Sequence, residues 1–451
     1  MYRDDECWNF PLSVQSTGIS HNGSNMTVNL CPTDTLKTLK VYKVVLTGGP
    51  CGGKTTGQDR LATFFENMGW KVYTVPETAT ILLGGRVKFE ELNYDQAYLF
   101  QKDLLKTMLQ IEDTYFNQAA ATTDRNVLII CDRGGMDPSA YTDRESWLRM
   151  LKEIGVEEFD LLNKRYDQVV HLVTAADGAE EYYTLANNQT RKENVDAARK
   201  MDDKTRKAWL GHPYVDIVDN SDCSKFEDKV LKVIQVIELL IEFIIYIEVV
   251  CDRTGIDSQD RLSRNSRKRK WLVRCIDESR FVKYEQFNIK HQYLLSDNPA
   301  SQVRIRSREQ NGRSTYTVTK RDLVPGKKEF VETRTQITFR EYARYQTMKD
   351  QSRSPLHKQR RCFMVGNQYF NLDIYTVLPP SACSLQLDGH LIFLETYTTI
   401  PKGEHLPLPD FLTIEKEITG ETAYSMYSMS KKPNSVCEVE EFLGAAEYKD
   451  D

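Results

Sequence analysis

Gly48-Gly-Pro-Cys-Gly-Gly53-Lys54-Thr55 is the stretch that most narrows what this 451-residue chain can fold into. It fits G-x-x-x-x-G-K-[ST] and stands where that pattern has to stand. An apolar run over Val41–Thr47 precedes it, and a helical pattern over 56–68, with Leu61, Phe64, Phe65 and Met68 on one face, follows. Glycines let the backbone curl until successive N–H groups face one anion, and the next helix adds the positive end of its dipole. In such a loop Gly48, Gly49, Pro50, Cys51, Gly52 and Gly53 wrap the phosphates of a nucleotide. Lys54 reaches the β- and γ-phosphates, and Thr55 and Thr56 open the helix, with the Thr55 hydroxyl placed to ligate Mg²⁺.

Apolar strands at 72–75, 127–131, 169–173 and 215–218 alternate with helical patterns, the longest over 94–116. That alternation predicts an α/β unit, a parallel sheet with helices on both faces. Such sheets bind ligands at the carboxyl ends of their strands. Asp132 ends the strand at 127–131 and is the expected second Mg²⁺ ligand, with Arg133 beside it for a phosphate. Glu77, in Val75-Pro-Glu-Thr, is a candidate general base for a substrate hydroxyl, or an orienter of Mg²⁺. Arg191 lies in a charged segment before Trp209-Leu-Gly-His-Pro-Tyr and is a candidate for closing on the γ-phosphate. Asn220 follows the last strand, in position to meet a base. The N-K-x-D pattern that reads guanine is absent, so these motifs leave ATP and GTP open.

The net charge of −5 conceals two opposed parts. Residues 261–370 hold 26 Lys and Arg against 10 Asp and Glu, a balance of +16, which leaves −21 for the rest. A strongly basic stretch in an acidic chain predicts an anionic partner. The run 261–274 reads as a basic linker, 253–280, or a surface helix attracted to an anionic membrane face. Trp271 is the one stacking aromatic within it, which counts against nucleic acid. Short alternating runs at 287–295, 303–308, 315–320, 332–338, 369–375 and 391–398 predict an antiparallel sheet or barrel. Arg304, Arg306 and Arg308 alternate with apolar residues, and Lys290, Lys320, Arg334, Arg360 and Arg361 come from neighbouring runs. Convergent guanidinium forks bind phosphate oxygens, so a polyphosphate or phosphoinositide headgroup is the expected ligand.

The apolar segment 230–250 resembles a membrane span in composition. It carries three Glu, however, and Lys232, Gln235, Glu238 and Glu242 share one face, which predicts a water-soluble amphipathic helix. Ten cysteines stand singly without a C-x-x-C pair, and no secretory signal opens the sequence, so reduced thiols in a cytoplasmic protein are expected. Residues 1–38 read as a flexible arm and 436–451 as an acidic tail.

The phosphate loop, Val75-Pro-Glu77-Thr, Cys131-Asp132-Arg-Gly and Ala208-Trp-Leu-Gly-His-Pro213 together resemble the kinase-like P-loop ATPases of the NadR type, over about 41–250. The continuation Gly255-Ile-Asp-Ser-Gln-Asp-Arg-Leu through Trp271-Leu-Val, with an alternating sheet behind it, resembles the family of the insect TRPL translocation defect protein 14 and its animal relatives. The resemblance implies a P-loop domain over 39–252 and a domain like the triphosphate-tunnel (CYTH) fold over 281–435. It also implies GTP and phosphoinositide binding, and a role with cargo or adaptor proteins in vesicular trafficking of photoreceptor membrane proteins such as the TRPL channel and rhodopsin. Peripheral association with endosomal or vesicle membranes goes with that role. Tunnel-fold enzymes carry E-x-E-x-K on their first strand. The counterpart expected here, Asn288-Ile-Lys290-His-Gln292, has neither carboxylate, although Asp373, Glu395, Glu415 and Glu417 remain. A tunnel-type triphosphatase is therefore the weaker alternative, beside a small-molecule kinase using Glu77 and Asp132.

Overall fold

The computed structural model describes residues 39–183, 195–221, 223, 225–249, 267–296, 298, 300–323, 330–398 and 400–432. Arg191, residues 1–38, the first part of the basic run and the acidic tail lie outside the described residues.

Five parallel strands, β1 (Val41–Thr47), β2 (Lys71–Val75), β3 (Val127–Asp132), β4 (Gln168–Leu172) and β5 (Val215–Val218), lie in the order β2-β3-β1-β4-β5. β1 and β3 are apolar on both faces because each face is covered. On one side Val45, Ile129, Cys131 and Val169 pack against Leu105 and Leu109 of helix α3 (Tyr94–Ala120) and Trp147 and Met150 of α4 (Arg144–Ile154). On the other side Val44, Leu46, Ile130 and Leu172 pack against Leu61 and Phe65 of α1 (Lys54–Asn67) and Val230, Val233 and Ile237 of α7 (Phe226–Val249). The short helices α2 (Thr78–Leu83) and α5 (Glu158–Asn163) and the charged α6 (Val195–Ala208) complete this unit. Among the described residues no helix is long and apolar enough to cross a membrane, and Val230, Val233, Ile234 and Ile237 of α7 are buried against the sheet.

The second sheet has nine strands: β6 (Arg267–Ile276), β7 (Tyr284–Leu294), β8 (Ser301–Gln310), β9 (Arg313–Leu323), β10 (Phe330–Ile337), β11 (Leu356–Val365), β12 (Gln368–Val377), β13 (Ile392–Thr398) and β14 (Leu412–Glu417). Their order is β10-β9-β8-β7-β11-β12-β13-β6-β14, every ladder antiparallel. Asn311 and Gly312, at φ 52° and 76°, turn β8 into β9, the left-handed pair that a two-residue hairpin requires. Of the expected sheet or barrel, the described residues form an antiparallel sheet, and among them no ladder joins β10 to β14.

Two expectations change. From Arg267 onward the basic run is neither linker nor surface helix. It is strand β6, held between β13 and β14, and its Arg269 is buried on a bidentate pair with Glu417. Its charges hid a strand whose apolar half, Trp271 and Val273, faces the core. The parity of β7 also changes, because the register pairs His291 with Arg306 and Ile289 with Arg308. The residues facing the same way as the β8 arginines are therefore Phe287, Ile289, His291 and Tyr293, and Asn288, Lys290 and Gln292 face away.

Candidate functional site

β1 runs into the Gly48–Thr55 turn, and the parallel order puts the carboxyl ends of β2 to β5 at the same edge of the sheet. Gly48 has φ 136°, and a Cβ there would lie 2.1 Å from the carbonyl oxygen of Leu172, so only glycine fits. Gly53, at φ 89°, caps α1. The loop after β4 clasps the turn from above: Thr174 Oγ1 donates to the Pro50 carbonyl at 2.5 Å and the Ala175 N–H to that of Cys51 at 3.2 Å. A Cβ on Gly52 would meet the Leu172 carbonyl as well. Lys54 Nζ is buried and donates to the carbonyls of Gly48 (3.1 Å) and Gly49 (2.9 Å). Thr56 is exposed in the first turn of α1.

Thr55 Oγ1 donates to Asp132 Oδ2 at 2.5 Å. The second oxygen of that carboxylate, Oδ1, is buried with no hydrogen-bond partner. Burial pushes the Asp132 carboxyl up, against the pull of Lys54. A hydroxyl beside a desolvated carboxylate with an unused oxygen suits a hard divalent cation. Among the described residues no cluster of three or more His, Cys, Asp or Glu side chains forms a metal site by itself.

The β2 and β3 ends are tied together. Arg133, at φ 70°, donates through Nε to Glu77 Oε1 at 2.8 Å and lies 3.7 Å from Asp137. Thr80 Oγ1 donates to Glu77 Oε2 at 2.5 Å. Burial alone would raise the Glu77 carboxyl, but Arg133 and Lys54 overcome it and hold it at about 2. Asn220 spends its amide on neighbouring chain: Nδ2 donates to the carbonyls of Thr174 and Asp177, and Oδ1 accepts from Lys229 at 2.8 Å.

Sequence reasoning missed Asp202 on α6. Its Oδ1 accepts from the backbone N–H of Gly49 (2.8 Å) and of Thr174 (3.0 Å), and its Oδ2 lies 3.0 Å from His171 Nε2. No motif contains Asp202, so a buried carboxylate on a charged helix gave no signal.

The second candidate site is one face of the antiparallel sheet. The register places Arg304, Arg306 and Arg308 of β8, Arg334 of β10 and Arg360 of β11 on it. Lys290, Lys320 and Arg361 lie on the opposite face, where Arg361 pairs with Glu278 at 2.8 Å and Lys320 with Asp322 at 2.9 Å. Three lysines absent from the sequence reading join the face: Lys268 and Lys270 of β6, and Lys358 of β11. Their signal was the alternation around Trp271 and around Cys362.

At the centre stand Asp373 and Glu395. Lys358 Nζ and Arg360 Nε each lie 2.6 Å from Asp373, Arg360 also reaches Glu395 at 3.0 Å, and Lys268 lies 2.9 Å from Glu395. Burial opposes charge on both carboxylates, and the surrounding cations keep both well below their ordinary values, Glu395 at about 2. Among the described residues the cations on this face outnumber these two carboxylates. Burial, then repulsion from Lys268 and Lys358, lowers Lys270 to about 7 despite Glu395. Burial lowers Lys358 to about 8.

Arg308 serves elsewhere. Its guanidinium stacks 3.3 Å over the Phe287 ring and donates to Asn163 Oδ1 and the Gly211 carbonyl of the α/β unit. Phe159 and Leu210 pack there on Phe287, Ile289 and Cys362, so the α/β unit covers one end of the cationic face. A cavity of about 630 Å³, lined by Arg144, Phe159, Leu210, Glu285, Asn311 and Arg313 among others, opens beside this junction. It includes none of the residues of the phosphate loop or of the Asp373–Glu395 centre.

The fold and the loop define the first part of the chain as a P-loop-like nucleotide-binding domain. Residues 43–225 match the family described as an AAA domain, a span of less than half the chain. No curated protein matches the chain. Among solved structures, an inorganic triphosphatase is 16% identical with a TM-score of 0.27, covering 37% of this chain and 97% of that one. A hypothetical protein is 18% identical at 0.26, covering 37% and 99%. A protein from Pyrococcus horikoshii OT3 is 15% identical at 0.21, covering 31% and 80%. Likenesses this weak carry no argument about the chemistry of this chain.

Proposed function

We propose that the chain binds GTP with Mg²⁺ at the Gly48–Thr55 loop and a phosphoinositide headgroup on the cationic face of its antiparallel sheet. On this reading it is a nucleotide-dependent, peripheral membrane regulator of vesicular trafficking. The observation that carries the nucleotide half is the Thr55–Asp132 pair, 2.5 Å apart, with the unpartnered Asp132 Oδ1 beside it and Lys54 buried in the loop. The loop N–H groups and Lys54 would hold the phosphates, and Thr55 and Asp132 would hold the cation. Mg²⁺, when bound, supplies charge neutralisation between the β- and γ-phosphates. ATP is the competing nucleotide. The choice of GTP, the trafficking role, and the TRPL channel and rhodopsin as cargo rest on the family resemblance of the motifs.

The surplus of cations around Asp373 and Glu395 supports the anion half. Burial first, and neighbouring cations after it, lower Lys270 to about 7 and Lys358 to about 8, and a bound polyanion would favour their charged forms. The same face argues against a tunnel-type triphosphatase. The first strand of the sheet is β6, and where E-x-E-x-K would stand it presents Lys268, Lys270 and Leu272. The kinase alternative loses its base, since Glu77 is pinned by Arg133 and Thr80 and held at about 2, far from the operating pH that general bases match.

Lys54→Ala is expected to weaken GTP binding at least a hundredfold by isothermal titration, and unchanged affinity would sink the loop assignment. Arg304→Glu with Arg306→Glu is expected to abolish retention on vesicles containing a phosphatidylinositol phosphate. Intact retention would show the anion site wrongly placed.

A further inference from the structure

Helix α6 touches the phosphate loop and, through Arg206, the β11–β12 turn of the antiparallel sheet. Near its middle, Asp202 is buried and accepts from the N–H groups of Gly49 and Thr174, which ties the start of the phosphate loop to the loop after β4. Space there is fully used, because a Cβ on Gly49 would lie 2.9 Å from Asp202 Cβ. One turn later, roughly 6 Å along the axis, Arg206 donates to Asn367 Oδ1, in the turn between β11 and β12. The helix then delivers Leu210 and Gly211 onto the antiparallel sheet. Gly211, at φ 97°, leaves no room for a side chain, since a Cβ would stand 3.0 Å from Phe287 Cζ. Its N–H donates to Tyr369 Oη at 3.2 Å and its carbonyl accepts from Arg308. Arg308 stands two residues along β8 from Arg306, and Phe287 is paired with Arg360. Eight residues of chain, 203–210, therefore separate Asp202, which holds the phosphate loop, from Gly211, which meets Arg308 and Phe287.

Helix α7 makes a second connection. Phe226 lies so close to the loop that a Cβ on Gly53 would come within 2.4 Å of its ring, and the helix runs on beside β10.

We propose that α6 couples the two sites, with Asp202 as the positioning residue of the phosphate loop, so that anion binding on the sheet changes nucleotide affinity and nucleotide binding changes anion affinity by the same factor. This rests on the reading that the loop takes a nucleotide and the face an anion. A ligand that shifts Gly211, three residues past the end of α6, by a few tenths of an ångström pulls on the helix at Ala208, and the helix passes that shift to Asp202 or breaks its two hydrogen bonds. Coupling through such an element is reciprocal and amounts to about 5- to 150-fold in affinity.

The test uses the full chain, GTP with Mg²⁺, and inositol 1,4,5-trisphosphate as the anion probe, by isothermal titration. Saturating inositol trisphosphate is expected to change the GTP dissociation constant at least fivefold, to a plateau, with the reciprocal change equal. A shift that grows without limit would mean direct competition at one site and would overturn the proposal. Gly211→Ala is expected to bring the factor below two while both ligands still bind. Arg206→Gln, which removes the Asn367 contact without crowding, is expected to reduce it in the same sense should Gly211→Ala fail to fold. Asp202→Ala is expected to weaken GTP at least tenfold, and Asp202→Asn to restore it to within threefold, because an amide oxygen accepts from the same two N–H groups. Two affinities that ignore each other in the wild-type chain would overturn the coupling and leave the proposed function standing. Failure of the wild-type chain to bind GTP at all would remove both.

Discussion

Glu77 keeps a charge that its burial opposes. Its carboxyl, held at about 2 by Arg133 and Lys54, is depressed from the ordinary value of about 4.5. A group depressed in this way stabilises the fold at every pH above its unfolded value, and that stability is lost as pH falls from about 4.5 through about 2. Glu77→Gln is therefore expected to cost about 2–3 kcal/mol at pH 7 in urea unfolding, and the difference from wild type should shrink toward pH 2. A constant difference across that range would mean that lost packing, not charge, is responsible. The lysines behave in the opposite sense. Lys270 and Lys358, at about 7 and about 8, bind fewer protons folded than unfolded, so stability rises with pH between those values and about 10.5. A polyanion favours their charged forms, so anion binding should take up protons near pH 8 and weaken several-fold from pH 6.5 to 8.5. Titration in two buffers of different ionisation enthalpy would measure that uptake directly, and none at all would place the anion elsewhere.

At the level of elements, Gln58 shows how a loop motif is supported from behind. It is buried on α1 and donates through Nε2 to the carbonyls of Val75 (2.8 Å) and Ile130 (2.7 Å), which fastens the helix under the loop to β2 and β3. Gln58→Leu fills the space but leaves two carbonyls without that donor, and is expected to lower stability by about 1–3 kcal/mol in chemical denaturation. The strand and helix pattern of the α/β unit was legible because β1 and β3 are buried on both faces and bounded by turns. The phosphate loop was legible because its residues are contiguous. The antiparallel sheet was less so. Strands β6, β11 and β14 went unread because Lys, Arg and Gln interrupt their apolar residues, and charge density imitates a linker when the charges are paired across the sheet. The facing side of β7 was misread by one residue, which in a strand exchanges one whole face for the other. Nothing local distinguishes Asn288-x-Lys290 from Phe287-x-Ile289 until the partner strand is known.

On the scale of the whole molecule, one of the three β8 arginines read as part of an anion site joins the two sheets. Arg308 is buried between Phe287, Asn163 and Gly211, and burial lowers it to about 10. Sequence could not show this, because the partners lie about 100 and 145 residues away and on the other side of the basic run. Arg308→Met keeps the length and the contact with the ring but abandons two buried acceptors. It is expected to cost about 2–3 kcal/mol and to separate the unfolding of the two sheets into distinct calorimetric transitions, where a single one is expected of the wild type.

The position of β6 has a consequence in time. It is the first strand of its sheet to be synthesised, yet its neighbours are β13 and β14, whose residues come over a hundred positions later. At about 5–20 residues per second, Trp271 and Val273 wait roughly 6 to 30 seconds on the ribosome for the strands that flank them. During that interval the lysines and arginines interleaved with them have no Glu395 or Glu417 to meet. The basic character of this strand, neutralised in the finished fold, is thus at its fullest while the nascent chain is most exposed to aggregation, and like charges on neighbouring chains would hold them apart.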